Sequence, residues 1–391
     1  MIGISMKYIT KVGVGLGALF AISNLAHASN YYADGRTTAM GGTGVASGNY
    51  LSASFINPAL LANSKESDSF GILLPSIGVR ALDQDDTLSD INDLQDNVDN
   101  LNENSNQEDI DKFADTFNAV AENAPVFAEA SVGIAVAIPF EAVSVALFSQ
   151  NYVNVVSMVD AEPINSSDWA TIEQAYRSAE ASVIGVGVMD IGVTLAKQFS
   201  FDEHRVSVGF SPKFQQLHSY YSKSSLDDFE LSDYDDSKNT ENVFNLDVGF
   251  LYQWHALSVG LSAKNLISNE IETAPISGTS HTYQVDPNIA MGVAYQLEYF
   301  TVAVDGDLNK QTRFKHITTD DTQFVRAGVE GNLFNWAQLR VGYEHDLEGN
   351  FKDSITAGIG LSPFDVVHID IAGSYADETQ AGIGLNLSLT L

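Results

Sequence analysis

Ala381-Gly382-Ile383-Gly384-Leu385-Asn386-Leu387-Ser388-Leu389-Thr390-Leu391 ends the sequence with an unbroken two-residue period. Ala381, Ile383, Leu385, Leu387, Leu389 and Leu391 fall on one face; glycines and small polar residues fall on the other. That period belongs to a strand with one apolar side, since a helix would scatter the leucines around its surface. The same dyad recurs through the second half of the chain with glycine and polar residues on the second face. A soluble sandwich can end in such a strand, but the repetition points to a membrane barrel with lipid outside and a polar lumen inside.

Working outward, the pattern predicts about fourteen strands. They are Ser69 to Ala81, Phe127 to Pro139, Ala142 to Met158, Tyr176 to Lys197, His204 to Ser222, Thr240 to Trp254 and Ala256 to Glu270. Next come Thr282 to Gln296, Tyr299 to Phe314, Thr322 to Leu333, Ala337 to Leu347, Asp353 to Leu361, Val366 to Tyr375 and Thr379 to Leu391. Short turns are expected near Phe140, Asp202, His255, Glu298, Asn335 and Pro363, and most long connections follow the odd strands. Outer-membrane barrels sort their loops this way, so both chain ends are expected in the periplasm. In the sixth strand Phe244, Leu246, Val248, Phe250 and Tyr252 form an outer row. In the tenth, the row Phe324, Ala327, Val329, Gly331 and Leu333 needs a bulge at Val325-Arg326. In the thirteenth, Val367, Ile369 and Ile371 face out while His368 and Asp370 face in.

Lys7 and Lys11 precede an apolar run from Val12 to Leu25, and Ala26-His27-Ala28 supplies small residues where a signal peptidase reads, so residues 1–28 are expected to be a signal peptide. Removing its two lysines takes the net charge from −32 to −32 − 2 = −34, which makes nucleic acid an unfavourable partner. Elsewhere no apolar stretch reaches the roughly 20 residues of a spanning helix, and any bilayer passage must use a closed barrel. With no cysteines, disulfides and thiolate metal sites are absent.

After Ser29 the sequence turns to Arg36-Thr37-Thr38-Ala39-Met40-Gly41-Gly42-Thr43-Gly44, then Asn57-Pro58-Ala59. The glycines permit tight backbone geometry, and Pro58 suits the first position of a short helical turn. This stretch resembles the N-terminal segment of FadL-like outer-membrane barrels, where an R-x-x-x-M-G-G run leads to N-P-A. Among that superfamily the chain looks most like the plasmid-transfer TraF-like family of exported outer-membrane proteins. The resemblance implies that residues 29–65 fold into the lumen as a hatch, with Arg36, Met40, Gly41, Gly42, Asn57, Pro58 and Ala59 in a structural role. Residues 66–391 would then form the barrel. It also implies an outer-membrane protein of a Gram-negative bacterium, one that binds or passes small hydrophobic molecules or serves conjugal transfer. Leu391 departs from the aromatic last residue usual in such barrels.

Residues 83–124 interrupt the strand pattern with an acidic insert; Asp83 to Glu122 holds thirteen Asp or Glu residues and one lysine. Leu88, Ile91, Leu94, Val98 and Leu101 step by three and four, as do Ile110, Phe113, Phe117 and Val120, which predicts two amphipathic helices in an external cap. So acidic a stretch can instead be a solvated loop. Asp83-Gln84-Asp85-Asp86 and Asp233-Tyr234-Asp235-Asp236 lack the full spacing of a calcium loop, and no metal site is assigned. His368 with Asp370, and His345 beside Asp346, have no Gly-x-Ser-x-Gly partner, so no enzyme, catalytic residue or cofactor is expected.

The expected partners are outer-membrane lipid, lipopolysaccharide and a small hydrophobic ligand. A hydrophobic-compound channel predicts an apolar pocket beside the hatch. A general porin predicts a wide lumen of mixed charge, and a structural component of a secretion or assembly apparatus predicts a bound protein partner.

Overall fold

The computed structural model describes residues 34–65, 67–229, 238–315, 317, 320–333 and 336–391. The expected signal peptide, the start of the expected hatch, Asp233 to Asp236 and the turn expected at Asn335 lie outside them. Two short helices, α1 (Gly35–Ala39) and α2 (Ala53–Ile56), come first. The strands follow as β1 (Gly71–Leu82), β2 (Val126–Ile138), β3 (Ser144–Asp160), β4 (Glu180–Phe201), β5 (His204–Ser225), β6 (Asn239–Trp254), β7 (Leu257–Lys264) and β8 (Asn269–Glu272). Then come β9 (Thr282–Val285), β10 (Asn288–Gln296), β11 (Phe300–Asp307), β12 (Phe324–Leu333), β13 (Ala337–Asp346), β14 (Ser354–Leu361), β15 (Val367–Asp377) and β16 (Gln380–Thr390).

All except β8 and β9 close into one antiparallel barrel of fourteen strands, β1 pairing with β2 on one side and β16 on the other. Closure leaves no strand edge, so the wall meets the bilayer with its backbone groups paired. At the seam Gly71 faces Thr390 and Leu82 faces Gln380. The register shifts between Leu73 and Ser76 against both neighbours, where Pro75 has no N–H to offer the ladder. Asp202 and His255 take positive φ, 54° and 51°, in the short turns after β4 and β6.

The alternation read in the last strand holds: Ile383, Leu385 and Leu387 are exposed on the outer face, and Gly384, Asn386 and Ser388 are buried in the lumen. In β6 Phe244, Val248 and Phe250 likewise point out and Asn245 and Asp247 point in. The expected bulge in β12 is absent. Its pairing runs continuously from Phe324–Asp346 to Leu333–Ala337, Val325 belongs to the outer row, and Phe324 turns inward, 5% exposed. An aromatic residue was wrongly assigned to lipid there because the lumen at this level carries an aromatic cluster of its own.

Four strand expectations change. The fourth strand starts at Glu180, because Trp169, Ile172 and Tyr176 follow helical spacing and form the buried face of a helix, Trp169–Ser178. The expected seventh and eighth strands each divide. Asn265, at φ 52°, ends β7, Pro287 separates β9 from β10, and β8 with β9 forms a separate two-stranded sheet. The ninth stops at Asp307, and the chain beyond it folds over the lumen.

The strands β4 and β5 run 22 residues each, about twice the 9–11 residues that cross a bilayer. Their far ends carry a helical cap made of α3 (Thr87–Val98), α4 (Gln107–Glu122) and α5 (Trp169–Ser178). Ile91, Leu94, Val98, Ile110, Phe113 and Phe117 pack with Ile172 and Tyr176 in one buried cluster. Phe113 meets Trp169 and Tyr176 edge-on, with ring centroids 5.3 and 5.5 Å apart. The apolar stripe finds a partner surface, which decides for helices over a solvated loop.

Candidate functional site

The segment from Asp34 to Ala62 lies inside the barrel, in the half nearer the short turns, and its placement follows from two sets of contacts. At one seat the backbone at Met40 and Gly41 passes so close to Gly328 and Gly342 that a Cβ on either glycine would overlap it. Gly41 and Gly42 take φ of 67° and 85°, the left-handed region that glycine tolerates. Gly41 N–H donates to Thr356 Oγ1 at 2.9 Å, and Gly35 N–H donates to Asn386 Oδ1 at 2.9 Å. At the other seat Asn57, Pro58 and Ala59 run over Gly209 and Gly249, again with no room for a Cβ. Asn57 Nδ2 donates to the Val45 carbonyl at 2.7 Å and to the Phe250 carbonyl at 3.2 Å. Its Oδ1 accepts from Ala59 N–H at 3.1 Å, which starts the 3-10 turn Pro58–Ala62. Met40 and Ala59 are fully buried.

Of the residues expected from the sequence to form the hatch motif, six make or border these seats and Arg36 works differently. Its Nε donates to Glu330 Oε2 at 3.0 Å, and Arg340 reaches the same oxygen at 2.6 Å and Asp370 Oδ1 at 2.5 Å. A second network joins Arg80 to Glu129 and Glu344, each at 2.7 Å, and Arg326 to Glu344 and Asp307, each at 3.0 Å. Arg313, from the connection between β11 and β12, reaches Glu129 at 3.2 Å. Five of the chain's seven arginines therefore sit in the lumen. A buried charge stripped of its partner costs about 3–5 kcal/mol, so these pairs hold the wall in one arrangement. Sequence reading missed the set, because its members lie on β1, β2, β11, β12, β13 and β15 with no local spacing to betray them. The one available signal was charged residues at inward-facing positions.

Between the hatch and the long-loop end lies a cavity with about 1100 Å³ of empty space, open solvent included. Its floor is Gly42, Val45, Phe55 and Ile56 of the hatch. Tyr152, Tyr283, Val285 and Phe324 supply apolar surface, and Phe314, fully buried, meets the Tyr283 ring edge-on at 5.1 Å. These aromatics belong to a larger cluster with Phe127, Tyr221 and Phe351. The lining also includes Arg80, Lys264, Arg313 and Arg326. The expectation of an apolar pocket beside the hatch is thus corrected to a mixed one: aromatic surface and fixed charges share the same walls.

The other candidates from sequence have ordinary partners. His368 bonds Ser362 Oγ at 3.0 Å and Thr390 Oγ1 at 3.1 Å, away from Asp370, which pairs with Arg340. His345 pairs with Asp353 at 2.6 Å, while Asp346 accepts from the N–H groups of Gln323, Asn350 and Phe351. Asp83 accepts from Thr87 and Leu88 N–H at the start of α3, at 2.8 and 3.0 Å.

The fold has solved counterparts. A Pseudomonas aeruginosa FadL homologue is 12% identical over 94% of this chain and 99% of its own, with a TM-score of 0.53. The monoaromatic hydrocarbon channel CymD is 12% identical over 92% and 97%, at 0.51. A TodX deltaS2S3 mutant monoaromatic hydrocarbon channel is 12% identical over 91% and 97%, at 0.50. At these identities the likeness is one of fold. No curated protein matches in sequence. The family model described as "F plasmid transfer operon, TraF, protein" matches residues 54–307, well over half of the chain. That span runs from the second hatch helix to the end of β11, and the chain belongs to this TraF family.

Proposed function

We propose that this protein is an outer-membrane barrel that binds or passes small, largely hydrophobic molecules, with the segment from Asp34 to Ala62 as its hatch and its short-turn end in the periplasm. The observation that carries the reading is the cavity between hatch and loops, walled in part by Tyr152, Tyr283, Val285 and Phe324. Concave sites of this kind combine apolar walls with a few fixed polar groups. A channel for bulk solute would leave the lumen open, whereas here the short-turn half is packed with buried hatch residues. The fold neighbours described as monoaromatic hydrocarbon channels suggest toluene as a first probe. Purified protein in liposomes should speed toluene entry over protein-free vesicles, while conductance for small ions stays near zero. Ion conductance without a toluene effect would favour a porin. A role in conjugal transfer draws support from the family's description alone; an unchanged mating frequency in a deletion strain would remove it.

A further inference from the structure

Lys264 differs from the other cations of the cavity. Arg80, Arg313 and Arg326 each face a carboxylate within 3.2 Å. Lys264 is 8% exposed, lines the cavity, and among the described residues makes no ion pair. Its one hydrogen bond goes to the Phe55 carbonyl of the hatch at 2.7 Å. An ammonium has three N–H groups, so two remain. Asp190 and Asp247 are engaged by Lys213, at 3.0 and 2.9 Å. Among the cavity-lining residues the formal charges are four positive and two negative, from Asp307 and Glu344, and the buried Glu129 behind them pairs with Arg80 and Arg313. The carboxylates whose charge reaches Lys264, Asp247 and Asp190, lie beyond ion-pair distance and are shared with Lys213, so a buried ammonium here gains from an anion placed directly against it. Tyr152, Tyr283 and Phe324 line the same cavity, Phe324 with the guanidinium groups of Arg80 and Arg326 over its ring at 5.6 and 4.7 Å, and together they supply aromatic surface for a flat ring.

We propose that the cavity is a binding site for small aromatic carboxylates, the ring held among Tyr152, Tyr283 and Phe324 and the carboxylate paired with Lys264. The proposal rests on reading the barrel as a small-molecule passage. It narrows that reading to arenes with one acidic group. Hydrocarbons lacking the group would bind through the aromatic walls alone and leave the ammonium without a direct ion pair.

The test uses full-length mature protein in detergent, with three probes of nearly equal shape: benzoate, benzamide and toluene, titrated by calorimetry. Benzoate should bind about tenfold more tightly than benzamide, the effect of one charge-assisted hydrogen-bonded pair. Lys264→Met should abolish that ratio while toluene binding persists. Equal affinity for benzoate and benzamide in the native protein overturns the carboxylate site, and toluene binding in the same experiment leaves the proposed function intact. Loss of all three ligands equally in Lys264→Met would mark the lysine as a brace for the hatch and also overturn the site. Failure of all three probes to bind the native protein defeats both readings. The benzoate to benzamide ratio needs no variant, so it decides even if Lys264→Met does not fold.

Discussion

Gly342 faces the lumen where the hatch backbone passes at Met40 and Gly41, and any side chain there must displace one or the other. Gly342→Val is expected to cost at least about 1–3 kcal/mol through overpacking. The loss should appear as proteolytic cleavage within residues 34–62 of a barrel that still resists unfolding on an unheated gel. Insensitivity of the hatch to protease would mean that the seat is not where its hold resides. The motif from Arg36 to Ala59 was readable because its residues fall in two short runs close together in sequence. Its receiving glycines were not, since Gly209, Gly249, Gly328 and Gly342 look in sequence like any small residue on the polar face of a strand. Arg36 was identified without its partner for the same reason, as Glu330 lies 294 residues away.

Alternation made the strands legible, and β16 provides a direct check of what each face meets. Arg at Leu385 should cost about 2–4 kcal/mol if it sits near the bilayer midplane, and Arg at Ser388 should be judged against it for lumen crowding, with Ser388→Asp as the small polar control of milder effect. Equal penalties for charge on both faces, measured by denaturant unfolding in lipid, would refute the assigned environment. Where period alone was followed too far, the connection between β11 and β12 shows why: Phe314 was read as strand but is carried inward by a loop. Asp320 holds that loop, accepting from the N–H groups of Arg313 at 3.1 Å and Phe314 at 2.6 Å. Burial is the largest cause pushing its carboxyl up, to about 6, against the opposing pull of Arg313. A carboxyl raised in the folded state binds its proton more tightly there than in the opened loop. Its contribution to closure is therefore greatest below the ordinary carboxylate range and is lost as pH rises through about 6. Limited proteolysis of the loop should increase between pH 5 and pH 7 more steeply in the native protein than in Asp320→Asn, with the protease's own pH profile cancelled by the comparison. Parallel profiles would show that Asp320 does not govern the loop.

The whole barrel was legible because fourteen strands share one period and one rule for their loops, whereas the cavity needed three-dimensional closure to exist. Its walls come from β1, β3, β7, β9, β10, β11, β12 and β13, the connection between β11 and β12, and the hatch. Deleting residues 29–65 should leave the wall folded, since its strands bond to each other, and raise conductance from near zero to that of an open pore. No change in conductance would demote the segment to a tail, and failure to assemble would make it part of the folding core. The seats also impose an order in time. Gly35 bonds Asn386 across 351 residues, Gly41 bonds Thr356 across 315, and Arg36 finds Glu330 across 294. During synthesis the hatch emerges ahead of every strand, yet its receptors on β12, β14 and β16 are among the last residues made. Such long-range contacts form only after the intervening chain has been ordered. The first described segment to leave the ribosome is thus the last to come to rest, and until the seam between β1 and β16 closes, the newborn barrel stands ajar.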